Sequence, residues 1–330
     1  MNRLIERFMG ICADDITIAV TVFDRRDYVL EAIRSALGQT VPVKVMVVED
    51  CGPDPAVREA IVGEFGHRIE YIRNSSNRGL FDNWNACLEY CRTPWLSILH
   101  DDDLLRPHFV ETMLQLVKKK PELGFYCGRQ AILTNGVVIP PPPTNWAAPW
   151  REIDIRSAAD VNFTLFPGHL FRVENALAVG GFETHSYFTG DWDMWFRLTA
   201  RFGAVQSAAE VAIVRSHETE GRGTLLVERK GWKWALDNRQ RKRNLTYLKQ
   251  IRGMELPFER TKLLETSPIS LRLLLRHAHG FTRRINYYNW WLFVHSRAPH
   301  WRYKVLKWLF RLAGPGGLRS LSRLLAKTTS

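Results

Sequence analysis

The chain has 330 residues, 45% of them hydrophobic, and carries 46 Lys and Arg against 34 Asp and Glu. This length suits one large α/β domain with an appendage, or two domains, and it can bury a substantial core. Five cysteines (Cys12, Cys51, Cys87, Cys91 and Cys127) form no CxxC pair and leave an odd one over. That argues against a disulfide framework and a structural zinc site, and for a reducing cytoplasm. A basic leader followed by an apolar stretch is absent, as is any run of about 18 apolar residues, so neither a signal peptide nor a spanning helix is expected.

The net charge of +12 is unevenly divided: residues 231–330 hold 21 Lys and Arg against 4 acids, leaving 25 against 30 for residues 1–230. A mildly acidic front part fits metal use, whereas the basic region needs a polyanionic partner.

In chain order, Ile16–Phe23 is a β-branched run that predicts a strand, and Tyr28, Val29, Ala32, Ile33, Ala36 and Leu37 recur at helical spacing. Val43–Val48 predicts a second strand ending in Glu49-Asp50, and residues 55–65 a helix. Arg68–Ile72 predicts a third strand, Leu80–Cys91 a helix, and Trp95–Leu99 a fourth strand. Alternation of near-continuous apolar strands with helices implies a mostly parallel sheet covered on both faces, with ligands at the carboxyl ends of its strands.

Two acidic sites lie at such ends: Asp50, and the run His100-Asp101-Asp102-Asp103 that Pro107 closes. Three adjacent carboxylates repel one another, so they are either solvated and capping the next helix or offset by a divalent metal. Residues 135–167, with Pro140–Pro143, Trp146 and Trp150, show no period and read as a loop, either a proline-stiffened surface excursion or an acceptor-side wall. Gly180-Gly-Phe182 is a turn, after which Gly190-Asp191-Trp192-Asp193 opens an amphipathic helix.

The segments VTVFDRRDYVLEAIRSALGQT, VVED, NRG, ILHDDDLLRP and GGFETHSYFTGDWDMWFRL, spread over residues 14–218, resemble in order and spacing the family 2 glycosyltransferases. The resemblance implies the GT-A nucleotide-diphospho-sugar transferase fold, with a nucleotide-binding half (14–107), an acceptor half (108–230), a short N-terminal segment (1–13) and a basic, aromatic-rich helical region (231–330). It further implies an inverting, metal-dependent, non-processive sugar transferase using a nucleoside-diphosphate donor, most simply a UDP-sugar. The acceptor would be a hydroxyl of a lipid-linked or surface-polysaccharide glycan. The alternative is a non-catalytic relative that binds nucleotide-sugar or glycan.

Residue by residue, the resemblance places Asp50 at the nucleotide base, with helix capping as the other reading. It puts Thr21 and Phe23 in the same base pocket, Phe23 being equally readable as core. Arg78 falls near base or diphosphate, or is simply solvated. Asp102 matches the ligand of a Mn²⁺ or Mg²⁺ ion, Asp101 a ribose or water-mediated metal contact, and Asp103 a structural cap, with His100 replacing the usual first acid. Asp191 matches the general base, ionised at neutral pH as carboxylates are, while Gly190 replaces the Glu common beside it and Asp193 braces the helix. His217 is a candidate metal or diphosphate ligand, and Trp192 and His169 are acceptor-side candidates. Cys87 and Cys91 read as packed thiols. Polymerising relatives carry a QxxRW motif; here Gln240-Arg-Lys-Arg-Asn244 ends in Asn.

In the basic region, Trp301, Val305, Trp308, Leu309 and Leu312 share a helical face, and Leu318, Leu321 and Leu325 repeat the pattern among Arg and Lys. Such helices lie readily in an anionic membrane interface at the inner face of the cytoplasmic membrane, or pack on the catalytic domain or a second subunit. No nucleic-acid module accompanies the charge.

Overall fold

The computed structural model describes residues 11–184, 189–216 and 232–254. Strand β1 (Ile16–Val22) is buried along its whole length and pairs in parallel with β2 (Lys44–Glu49) on one side and β4 (Trp95–His100) on the other. Beyond β2 lies β3 (Glu70–Arg73), also parallel. A strand buried on both faces must be apolar at odd and even positions alike, which is why this region shows runs rather than alternation.

The partition between the two faces follows the two-residue repeat of the strand. On β4, Trp95 and Leu99 join one core layer with Ile18, Val20, Ile33 and Phe109, while Leu96 and Ile98 join the other with Trp84, Phe125, Phe171 and Trp195.

Helix α1 (Arg26–Leu37) buries Val29, Ala32, Ile33 and Ala36, the stripe expected from its spacing. Helix α2 (Pro55–Phe65) starts on Asp54, whose side chain accepts from Ala56 N at 2.9 Å, with Pro55 preset for the first turn. Helix α3 (Leu80–Tyr90) follows the NRG turn, and α4 (Phe109–Lys119) buries Phe109, Met113 and Leu116.

The second half of the sheet departs from simple alternation. Strand β9 (His169–Arg172) inserts antiparallel between β4 and β6 (Phe125–Thr134), and β6 pairs in parallel with β10 (Ala204–Arg215). The order is β3-β2-β1-β4-β9-β6-β10-β5, where β5 is Leu104–Leu105. Residues 135–167, expected as a loop, contain β7 (Val137–Ile139) on β6, β8 (Trp150–Glu152) on β10, and helix α5 (Ile155–Asp160). Pieces of three to six residues are too short to impose a period on a sequence.

Helix α6 (Val173–Ala178) follows β9, α7 (Gly190–Phe202) precedes β10, and α8 (Trp232–Arg252) closes the described part. The chain divides into two compact units, Met1–Ser186 with Gly190–His217, and Tyr187–Thr189 with Glu218–Ser330. Within the second, Thr189 Oγ1 donates to Gln240 Oε1 at 3.0 Å. The expected interfacial helices around Trp301–Leu312 and Leu318–Leu325, and His217, lie outside the described residues. No helix among the described residues is long and apolar enough to cross a membrane.

Candidate active site

Because β1, β2 and β4 run parallel, their carboxyl ends share one rim, and Asp50 N donates to Val22 O there at 2.8 Å. The turn after β4 buries Asp101, Asp102 and Asp103 to 8%, 7% and 4% exposure, far from the solvated loop that three acids allow. Their charge is divided among partners. Arg25, just past the end of β1, donates through Nη1 to Asp101 Oδ1 at 3.2 Å and Asp102 Oδ2 at 2.5 Å. Arg215, at the end of β10, donates its backbone N to Asp103 Oδ1 and its Nε to Asp102 O, both at 3.0 Å, while Nη2 reaches Glu31 at 2.6 Å. Burial pushes the Asp101 carboxyl up to about 7 against the opposing pull of Arg25.

His100 packs against the rings of Trp84 (centroids 5.3 Å, 14°) and Phe166 (3.8 Å, 20°), which also touch each other at 4.5 Å, so the three rings form one cluster. Burial lowers its imidazole to about 4, so it is neutral at physiological pH, and its Nε2 is buried without a hydrogen-bond partner. One ligand atom each from His100, Asp102 and Asp103 falls within a mutual 4.8 Å. A neutral imidazole whose Nδ1 lies 3.7 Å from Asp103 Oδ2, in one group with the Asp102 carboxylate, fits a divalent cation. The group differs from the expected ligand set in taking His100 and Asp103 beside Asp102 and leaving out Asp101, although Arg25 bonds both Asp101 and Asp102.

Asp50 is 4% exposed, and its carboxylate accepts from Asn74 Nδ2 at 3.0 Å and from Arg78 N and Gly79 N, both at 2.8 Å. It holds the NRG turn, and the capping reading for α2 fails because Asp54 is that cap. The Arg78 guanidinium is spent on Glu89, with two bonds of 2.8 Å that raise its own pKa, so the expected role near base or diphosphate is not what its side chain does here. Thr21 is buried, donating to Leu99 O at 3.4 Å, whereas Phe23 is 38% exposed at the rim and so is not core. Gly52 is what lets the turn after β2 close over it, since a Cβ there would collide with the Phe23 carbonyl.

Asp191 lies in the first turn of α7, and its Oδ2 accepts from Asn162 Nδ2 at 3.0 Å. Asn162 had no signal in the sequence beyond its place in an unperiodic segment. Gly190 is explained by packing: a Cβ there would strike the Phe81 ring, so an acid at this position and Phe81 exclude each other. Asp193 braces the helix as expected, accepting from Arg197 Nε at 2.8 Å, while Arg197 also holds the carbonyls of Val179 and Gly181 at 2.5 and 2.7 Å.

Two acceptor-side expectations are overturned. Trp192 is 3% exposed, its Nε1 donating to Ala158 O at 2.8 Å, because position 192 faces α5. His169 is fully buried: Nδ1 donates to Phe166 O at 2.5 Å and Nε2 accepts from Ile98 N at 3.3 Å, taking over where the β4–β9 ladder stops. A ring accepting at Nε2 must be neutral, and burial lowers its pKa to about 3. The unfolded chain therefore binds this proton at higher pH than the folded one. Its stabilisation is complete above pH 6.5 and drains away as pH falls toward 3. Between pH 6.5 and 5 this amounts to about 2 kcal/mol. In urea unfolding at both pH values, His169→Gln should flatten the slope by that amount; an unchanged slope would refute the assignment.

A model of the family described as glycosyl transferase family 2 matches residues 17–177. Residues 17–177 carry a glycosyltransferase family 2 domain. The protein is accordingly a transferase. An uncharacterised glycosyltransferase of Rickettsia typhi is 26% identical over 221 residues, 64% of this chain and 67% of that protein. Succinoglycan biosynthesis protein ExoO of Rhizobium meliloti is 36% identical over 104 residues, 31% of this chain and 29% of its own. Among solved structures, Staphylococcus aureus TarS 1–349 with UDP-GlcNAc aligns with TM-score 0.58 at 13% identity, covering 95% of this chain and 92% of that one. The mannosyltransferase PcManGT of Pyrobaculum calidifontis, with GDP-Man and Mn²⁺, aligns at 0.54 and 11%, covering 96% and 89%. These likenesses carry the fold: the GT-A arrangement of the family.

Proposed function

We propose that the protein is an inverting, metal-dependent, non-processive glycosyltransferase that moves a sugar from a UDP-sugar to a hydroxyl of a lipid-linked or surface-polysaccharide glycan. One observation carries this reading: the base and the acidic turn share a wall. Gly190, beside Asp191, packs on Phe81; Phe81 meets Trp84 edge-on at 5.0 Å; Trp84 stacks on His100. The segment that positions Asp191 through Asn162 also stacks Phe166 on His100. This shared wall supports a reading in which donor and acceptor chemistry meet there.

Asp102, with His100 and Asp103, would hold Mn²⁺ or Mg²⁺, which supplies Lewis-acid charge for a departing diphosphate. Phe23 and Asp50 flank the nucleotide rim, and Arg25 offers a cation beside it. Asp191, oriented by Asn162, takes the acceptor hydroxyl proton as that oxygen attacks; a single displacement with one base inverts the anomeric centre. The solved relatives carry UDP-GlcNAc and GDP-Man, so the family's pocket accommodates either base. The basic region 231–330 is proposed to hold the enzyme on the anionic inner face of the membrane.

The test is nucleoside-diphosphate release by purified full-length protein across a panel of UDP-, GDP- and dTDP-sugars with Mn²⁺, with and without anionic vesicles. Release from at least one donor, abolished by EDTA, and sedimentation with the vesicles at low salt are expected. No release from any donor would refute the enzymatic reading, and no co-sedimentation the membrane one.

A further inference from the structure

A cleft of about 320 Å³ opens beside the proline run, lined by Arg129, Gln130, Trp146, Arg151, Phe163 and Gln206 among others. Its construction follows from the strands. Arg151 on β8 stands opposite Gln206 on β10 in an antiparallel pairing, so both side chains project to one face. Arg151 Nε and Nη2 donate to Gln206 Oε1 at 3.2 and 2.9 Å, and the Trp146 ring lies 4.4 Å from its guanidinium carbon. Arg129 on β6 donates to the Pro142 carbonyl, which ties the proline run down as the opposite wall.

Neither arginine is neutralised. The register partner of Arg129 on β10 is Glu210, but the ladder slips there and Glu210 accepts from Arg106 Nε at 2.7 Å. Glu152, next to Arg151, pairs with Lys120 at 2.6 Å, and Asp154 is committed to the first turn of α5. Among the described residues, neither Arg129 nor Arg151 has a carboxylate partner. Two guanidinium groups in one concavity repel each other, and their planar donors match an oxyanion. Trp146 and Phe163 add apolar ring faces for the C–H faces of a sugar.

The cleft is also tied to the base. Gln206 Nε2 donates to Phe163 O at 3.2 Å, and Gln130 Nε2 to Thr164 Oγ1 at 2.9 Å. Phe163 directly follows Asn162, which holds Asp191. A ligand seated in the cleft therefore lies against the segment that aims the base.

We propose that this cleft is an acceptor subsite for an acidic glycan, with Arg129 and Arg151 binding the carboxylate or phosphate of a charged sugar while a neighbouring hydroxyl is presented toward Asp191. This rests on the glycosyltransferase reading above and names the acceptor class for it.

Titration calorimetry on the full-length protein tests it with three oligosaccharides of equal length: one bearing glucuronic acid, one a sugar phosphate, and the neutral parent. At least one acidic ligand should bind about tenfold more tightly than the neutral one, with a preference that falls as salt rises. Arg129→Gln/Arg151→Gln should erase the preference while leaving neutral-glycan affinity and acceptor-free donor hydrolysis unchanged, and Arg92→Gln, an exposed arginine after α3, should change nothing. Which acidic ligand binds identifies the charged group. Equal affinity for all three, or an unchanged preference in a double variant with wild-type circular dichroism, would overturn the proposal. Acidic-glycan preference in a protein that hydrolyses no donor would instead defeat the catalytic reading and leave the subsite standing.

Discussion

Asp191→Asn should lower sugar transfer by about 10²–10⁴-fold, the usual contribution of a positioned general base. Asn is nearly isosteric and its carbonyl can still accept from Asn162 Nδ2, which the structure places 3.0 Å from Asp191 Oδ2, so helix α7 should keep its start. What is lost is the basic oxygen. The loss should therefore appear in kcat, with KM for the donor close to wild type, and in product formation as much as in nucleotide release. A variant with kcat within about threefold of wild type would remove Asp191 from the chemistry. Asn162→Ala offers a graded companion: it keeps the carboxylate and loses only its orientation, so the fall should be smaller.

Asp102→Asn should cost at least about 10²-fold in metal-stimulated turnover, since neutralising the charge on a departing diphosphate is worth several kcal/mol. The same substitution removes the stronger of two carboxylate contacts to Arg25, the 2.5 Å bond. A second readout separates metal binding from this local rearrangement. Ligand at about 100 times its Kd stabilises the folded state by about 2.7 kcal/mol. Wild-type protein should thus gain thermal stability on adding Mn²⁺ with UDP, and Asp102→Asn should gain little. If the variant keeps both its turnover and its Mn²⁺-dependent thermal shift, the site lies elsewhere.

The first half of the sheet was legible because its information is local. Strand runs and the Val29, Ala32, Ile33, Ala36 stripe repeat within a few residues, and β2, α2 and α3 fall within one residue of where the pattern puts them. The second half was less so. Strand β9 pairs antiparallel through only a few residues on each neighbour, and its first side chain, His169, completes the ladder with an imidazole. Read along the chain, that histidine resembles an acceptor contact; only its burial shows it to be a neutral structural acceptor.

From sequence alone, residue types and their order pointed to the family and put Asp50 and the acidic turn at strand ends of the sheet. Tertiary structure decided which groups those acids bond. Arg25 and Arg215, from the ends of β1 and β10, divide three adjacent carboxylates that sequence presents as equivalent. Phe81 fills the space that makes position 190 a glycine, and Glu89 withdraws Arg78 from the rim. The physical reason is common to all of them. Periodicity is written in neighbours along the chain, but the partner of a charge is whichever group folding brings within about 3 Å, and in a low-dielectric rim that partner sets what the charge can do.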